Sequence, residues 1–139
     1  MSLTIERVLL LKSADVFSEV PEEDLLELAA AVEEIEARMG ERIIGKGELG
    51  SSLYIVVDGK VRVHDGDQEL RVLGCREMFG ELAVLDPQPR SASVTAVEDT
   101  LLFRLDERVL YEMMAENQAL TRGIIQMLCR RLREPIGAD

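Results

Sequence analysis

One histidine, two cysteines, four prolines and no tryptophan occur among the 139 residues, and each shortage removes a class of chemistry. With His64 alone, the chain cannot assemble the multi-histidine metal site of a catalytic β-barrel, and on a strand ending at an Asp-Gly turn that side chain is expected at the surface. Cys75 and Cys129 fall in different elements and lack C-x-x-C spacing, so neither a disulfide framework nor a metal knuckle is indicated and both read as reduced thiols. Aromatic residues make up only 4% of the chain, too few for a stacking platform, so any base-like ligand would be gripped by aliphatic walls. Long apolar runs are missing, which leaves nothing to span a membrane, and the N-terminus lacks the basic-then-apolar layout of a secretory signal. A cytoplasmic location is therefore expected. Positive charge is scarce as well: 16 Lys and Arg stand against 27 Asp and Glu, a net charge of −11, which disfavours nucleic acid or an anionic membrane as a direct partner. No nucleophile is accompanied by a recognisable base, so the sequence points away from an enzyme.

What is present suits one folded module over residues 1–139. The 47% hydrophobic and 31% charged content is ordinary for a globular chain of this length. Ile5, Val8 and Leu9 suit a short amphipathic helix over 5–12. Pro21, the acids Glu22, Glu23 and Asp24, and apolar Leu25, Leu28, Ala29 and Val32 at helical spacing predict a second helix reaching about Glu34, so N-terminal helices occupy roughly 4–34. From about 35 to 105 the apolar period falls to two, with turn signals every eight to twelve residues. Asp58-Gly59 and Asp65-Gly66 predict hairpins, and Ser91–Val97 is expected to pair with Thr100–Leu105 around Glu98-Asp99. Leu53, Ile55, Val57, Val61 and Val63 supply the inward face of a flattened barrel. The helical period then returns over 106–134. Asp106 caps a helix carrying Val109, Leu110, Met113 and Met114, and a second helix after Asn117 carries Leu120, Ile124, Ile125, Leu128 and Leu132 until Pro135.

Charge is unevenly spread. Eight acids and no base lie between Glu19 and Glu36, whereas Arg122, Arg130, Arg131 and Arg133 gather near the C-terminus. Two solvated helix faces account for this pattern; docking of the basic end on an acidic surface of a larger protein or second subunit is the alternative.

The most informative stretch is Phe79–Val94, FGELAVLDPQPRSASV. Gly80, between an apolar approach and ELAVL, predicts a sharp turn into one turn of helix with free backbone N–H groups, which suits an anion. The loop formers Asp86, Pro87, Gln88 and Pro89 let the chain double back, so that Glu81 and Arg90 face one cavity. Those two side chains could simply pair. They could also share one ligand, because a guanidinium with backbone N–H donors suits a singly charged phosphodiester while a carboxylate accepts from a sugar hydroxyl.

This stretch resembles the phosphate-binding cassette of cyclic nucleotide-binding domains, and Gly47–Val63, GELGSSLYIVVDGKVRV, resembles the strand-turn-strand entry to the same β-roll. The resemblance covers nearly the whole chain. It implies an α+β, mainly β fold: an eight-stranded jelly-roll-like β-roll flanked by N-terminal helices and two C-terminal helices. By position, Glu81 would take the ribose 2′-hydroxyl and Arg90 the cyclic phosphate of cAMP or cGMP, with Gly80, Leu82, Ala83 and Ser91 adding backbone contacts. Ser91 admits either nucleotide, and only family habit leans toward cAMP. The segment Asp106–Arg133, with a bend near Glu116-Asn117, becomes the output element. Its effector is expected in another chain or a portion not present here, with a homodimer as a further possibility. The rival reading is a ligand-free scaffold of the same fold, used for dimerisation or docking. One departure stands out: where relatives place a second glycine, this chain has Arg76 within Leu73–Met78, in a slot associated with positive φ. Arg71 and Arg76 are either strand-end arginines or a source of positive potential for the ligand.

Overall fold

Pro21 has no N–H to contribute to a ladder, so it stands just before a helix whose first turn is acidic, and the same logic of local signals sets most boundaries in the computed structural model. The structure describes residues 3–134. Its α-helices are α1 (Thr4–Ser13), α2 (Glu22–Ala31), α3 (Glu81–Leu85), α4 (Glu107–Glu116) and α5 (Gln118–Arg133), with a 3₁₀ turn at Asp15–Phe17. Its strands are β1 (Glu33–Ala37), β2 (Arg42–Ile44), β3 (Ser52–Asp58), β4 (Val61–Asp65), β5 (Gln68–Leu73), β6 (Met78–Phe79), β7 (Ser93–Ala96) and β8 (Thr100–Asp106). The expected α+β architecture, eight strands flanked by N-terminal and C-terminal helices, is present. The predicted end of the C-terminal helix at Pro135 lies outside the described residues.

The strands form two four-stranded antiparallel sheets, in the orders β1-β8-β3-β6 and β2-β7-β4-β5. Of the three expected hairpins, one exists: β4 and β5 pair across a two-residue turn, Asp65 opposite Gln68. Asp58-Gly59 does not join paired strands, because β3 pairs with β6 and β8 while β4 lies in the other sheet. Likewise β7 pairs with β2 and β4, not with β8. Both turns are crossovers between sheets, and they meet at one corner. A Cβ on Gly59 would lie 2.8 Å from the Thr100 Cα, and Thr100 Oγ1 accepts from the Lys60 N–H at 3.2 Å and donates to the carbonyls of Lys60 and Glu98. Turn residues reverse the chain; they do not choose the strand it returns beside.

The sheets and helices enclose two apolar clusters. Leu53, Ile55, Phe103 and Leu105 face the helices and meet Leu11, Phe17, Leu25, Leu110 and Leu120, all essentially buried. Val56, Val61, Leu73, Phe79, Val94 and Leu102 fill the space between the sheets. A register shift between Val56 and Asp58 in β3 breaks strict alternation, so Val56 is buried and Val57 only half-buried. The acidic run is not a single helix face: α2 ends at Ala31, and Glu33, Glu34 and Glu36 belong to β1. Val32 turns to extended backbone there, and Arg7 satisfies the open helix end by donating to the carbonyls of Ala29 and Val32 at 3.0 and 3.3 Å.

His64 is another correction, being buried at 8% exposure. Its Nδ1 lies 2.8 Å from the Gly66 carbonyl and its Nε2 2.7 Å from Thr95 Oγ1. A carbonyl only accepts, so Nδ1 carries the proton and, in the neutral ring, Nε2 accepts from the threonine hydroxyl.

In the C-terminal helices Asp106 caps α4 through the Arg108 N–H at 2.8 Å. Asn117 caps α5 through the N–H groups of Ala119 and Leu120, and its amide donates to Asp24 at 2.7 Å. Leu110, Met113, Leu120 and Ile124 are core, but Ile125 and Leu132 of the predicted apolar set face solvent. Gly123 lets α5 approach closely, since a Cβ there would fall 2.3 Å from the Val16 carbonyl oxygen.

Candidate functional site

Gly80 has φ +83°, the left-handed conformation that favours glycine, and it starts α3 directly after β6. A Cβ at Gly80 would lie 3.0 Å from Arg90 Nη1 and 3.2 Å from Ile44 Cδ1, so packing as well as backbone geometry keeps the position small. The loop after α3 returns as the sequence requires. Arg90 N–H donates to the Glu48 carbonyl and Gly47 N–H to the Arg90 carbonyl, each at 2.8 Å, which clips the returning chain to the β2–β3 connection.

The Arg90 side chain is 8% exposed and forms part of a cleft wall. Nη1 donates to the Gly80 carbonyl at 2.6 Å and Nη2 to the Ser52 carbonyl at 2.7 Å. Its guanidinium occupies the space that a Cβ on Gly50 would take, with Nη2 2.2 Å from that position. Among the described residues no carboxylate comes within ion-pair distance of Arg90. Burial pushes this guanidinium below its ordinary value, while Tyr54, Glu81 and Glu48 act in the opposite sense from a distance. It nevertheless stays protonated, because arginine does not lose its proton in proteins. The result is a fixed, largely buried cation that no carboxylate of the described residues contacts directly.

Glu81 is 2% exposed and does not pair with Arg90. Its Oε1 accepts from Nη1 of Arg131, on the last turn of α5, and Arg131 Nη2 donates to the Met78 carbonyl at 2.6 Å. At the other end of α3, the Tyr111 hydroxyl of α4 lies 2.8 Å from the Val84 carbonyl and 3.2 Å from that of Leu85, sharing its proton between them. Both C-terminal helices thus grip the five-residue α3. The last turn of α5 has a second anchor, where Glu134 accepts from Arg71 of β5.

The cleft has a volume of about 460 Å³, within the roughly 300–1,000 Å³ range of small-molecule sites. All six residues singled out in the sequence line it: Gly80, Glu81, Leu82, Ala83, Arg90 and Ser91. Ile44, Val63, Leu70, Leu73 and Val94 provide the aliphatic walls, joined by Phe79, whose ring stacks on Tyr54 at 5.1 Å. Sequence reasoning missed Arg131 and the role of Gly50. The glycine cluster before β3 was a usable signal for Gly50, since a glycine opening a strand often marks close approach. Arg131 gave none, lying 50 residues from Glu81. The C-terminal arginines, expected on a solvated face or a docking surface, are partly engaged within the chain: Arg131 with Glu81, and Arg130 with Asp15 at 3.7 Å. Arg71 lines the cleft, whereas Arg76 lies outside its lining. The described residues hold no cluster of His, Cys, Asp and Glu suited to a metal ion, and none of their helices is long and apolar enough to cross a membrane.

Comparison with known proteins agrees with this geometry. The family model described as "Cyclic nucleotide-binding domain" matches residues 34–117. The chain is 30% identical over 129 residues to a CRP-like cAMP-activated global transcriptional regulator of Mycobacterium tuberculosis, covering 89% of this chain and 58% of that protein. It is 42% identical over 100 residues to the cyclic AMP receptor protein of Thermus thermophilus, covering 68% and 46% respectively. The chain therefore spans about half the length of these relatives. Among solved structures, the regulatory domain of Toxoplasma gondii PKA in complex with cAMP superimposes with a TM-score of 0.73 at 29% identity, covering 79% of this chain and 44% of that one. A glycine-started α3 that returns through a buried arginine, with the family match running across it, means that this chain belongs to the cyclic nucleotide-binding domain family.

Proposed function

We propose that this protein is a regulatory sensor that binds a 3′,5′-cyclic nucleotide in the cleft and passes the event through α4 and α5 to an effector outside this chain. Arg90 takes the cyclic phosphate, and Glu81 accepts from the ribose 2′-hydroxyl. Backbone N–H groups at Gly80, Leu82, Ala83 and Ser91 complete the polar contacts, and the base lies against the aliphatic walls.

The observation that carries this reading is the state of Arg90. A buried cation with no carboxylate in direct contact is costly, and a singly charged phosphodiester lowers that cost while using the guanidinium donors not spent on Gly80 and Ser52. The first N–H groups of α3 lack intrahelical acceptors and border the same cleft. Two cAMP-linked relatives favour cAMP as the first ligand to try, and Ser91 is compatible with cGMP as well. No catalytic role is assigned to any residue, the location is expected to be cytoplasmic, and a homodimer remains compatible with the solvent-facing Ile125 and Leu132.

Output follows from linkage. A ligand shifts the helices only by the difference in its affinity for their two arrangements, and here α4 and α5 both hold α3, whose start lines the cleft. Calorimetric titration with cAMP and cGMP tests the reading. Micromolar or tighter binding of either supports it, whereas absence of heat with a folded sample favours the ligand-free scaffold.

A further inference from the structure

Among the described residues Arg76 is the only one other than glycine at positive φ, +75°, where a side chain brings strain that glycine would avoid. The turn is held in that shape: Arg76 N–H donates to the Val56 carbonyl at 2.7 Å and Val56 N–H to the Glu77 carbonyl at 2.9 Å, which pins it to β3. A strained position that keeps a long cationic side chain points to a use for that side chain. Arg76 lines a second cavity of about 530 Å³, which shares only Arg71 and Arg131 with the nucleotide cleft. Four arginines border it, Arg71, Arg76, Arg130 and Arg131, against three acids, Asp15, Glu77 and Glu134. Such an excess of positive charge stands out in a chain of net −11. Most of these groups are engaged: Glu134 accepts from Arg71, Glu77 from the Gly74 N–H at 3.0 Å, and Arg131 donates to Glu81. Two cations are not. No carboxylate of the described residues lies within ion-pair distance of Arg76, and the Arg130–Asp15 pair is 3.7 Å long with side chains 53% and 82% exposed, so it contributes little. Buried Val16, Met78 and Met127 supply an apolar part of the wall.

We propose that this cavity is a second ligand site, separate from the nucleotide cleft, that takes an organic phosphomonoester: Arg76 and Arg130 grip the phosphate dianion, and the organic part lies against Val16, Met78 and Met127. The proposal does not depend on what the cleft binds. The head group follows from counting acceptors. One guanidinium fork occupies both oxygens of a carboxylate, and a phosphodiester likewise offers only two free oxygens. A phosphomonoester has three and carries nearly two charges at neutral pH, enough for forks arriving from a turn and from a helix. The volume, within the range of small-molecule sites, exceeds what a bare phosphate fills, so an organic body belongs with the head group.

The test is calorimetric titration of the full chain and its Arg76→Gly, Arg130→Gln and Arg90→Met variants with phenyl phosphate, benzoate and inorganic phosphate. Phenyl phosphate is expected to bind the unmodified protein and the Arg90→Met variant alike. It should bind more tightly than inorganic phosphate, which lacks the apolar part, and than benzoate, which occupies one fork only. Arg76→Gly and Arg130→Gln should each weaken it about 10-fold or more, the size of a lost charge-assisted hydrogen bond. The first variant removes a strained residue and the second alters an exposed side chain, so both should fold, and a cooperative urea transition checks each sample; if one fails, the other carries the comparison. Absence of heat from phenyl phosphate at millimolar concentration overturns the proposal. So does binding lost in Arg90→Met yet kept in Arg76→Gly and Arg130→Gln, which would put the phosphate in the nucleotide cleft. Benzoate binding as tightly as phenyl phosphate also overturns it, reducing the cavity to a diffuse positive surface.

Discussion

Replacing Arg90 with methionine separates the two roles that its position suggests. In the absence of ligand the change has opposing parts: it removes donors to the Gly80 and Ser52 carbonyls, and it also removes a buried cation that no described carboxylate neutralises. The first part costs about 1.5–3 kcal/mol per charged hydrogen bond, offset by release from a desolvation penalty of several kcal/mol. The melting temperature of the free protein should therefore move by only a few degrees. With ligand the terms no longer oppose. At a cAMP concentration 100 times the Kd of the unmodified protein, binding stabilises the fold by about 2.7 kcal/mol. At roughly 3–4 °C per kcal/mol for a chain of this size, the midpoint should rise by about 8–11 °C. Loss of two phosphate hydrogen bonds weakens binding at least ~100-fold. The same concentration then yields no more than about 0.4 kcal/mol and a rise of about 1–2 °C. Differential scanning calorimetry of both proteins, with and without cAMP, measures all four midpoints. A methionine variant that keeps the full ligand-induced rise would refute the assignment of the phosphate to Arg90.

Three further outcomes are expected. Glu81→Ala should weaken cAMP more than 2′-deoxy-cAMP, so the ratio of their Kd values narrows toward one; an unchanged ratio would reject the ribose role. Gly123→Ala places a methyl 2.3 Å from the Val16 carbonyl oxygen, an overpacking that should cost about 1–3 kcal/mol in urea unfolding and raise amide exchange in α5; unperturbed exchange would show that the contact does not seat the helix. Arg76 has φ +75° and an exposed side chain, and a non-glycine residue there costs about 1–2 kcal/mol. Set against the ~0.5–1 kcal/mol entropic cost of glycine, Arg76→Gly should raise the urea midpoint slightly, and a clear fall would mean that the side chain contributes more than its exposure suggests.

Much of the site could be read in sequence because it is local. Gly80, Glu81 and Arg90 lie within one turn, one short helix and one loop, and the chemistry of each residue type limits what such a segment can do. The same holds for element boundaries set by caps, such as Asp106 and Asn117. Pairing was harder to read, for a physical reason. Asp58-Gly59 signals a reversal equally well for a hairpin and for a crossover, and only the requirement to bury two sheets against each other and one against helices decides between them. His64 was misjudged for the same reason, since Thr95 reaches it from a strand 31 residues away. Arg131 is the extreme case: its role depends on where α5 comes to rest, and nothing near it in sequence records that.

The helix-facing cluster and the cluster between the sheets touch the same strands from opposite sides yet remain distinct. Displacing α4 and α5 would expose Leu110, Met113, Leu120 and Ile124 while leaving Val56, Val61 and Leu102 covered. Any shift of α4 and α5 would thus ride on a frame that keeps its own adhesive. The sheet side of the cleft would hold its shape between cycles, while the α3 side, tied to those helices, would follow them.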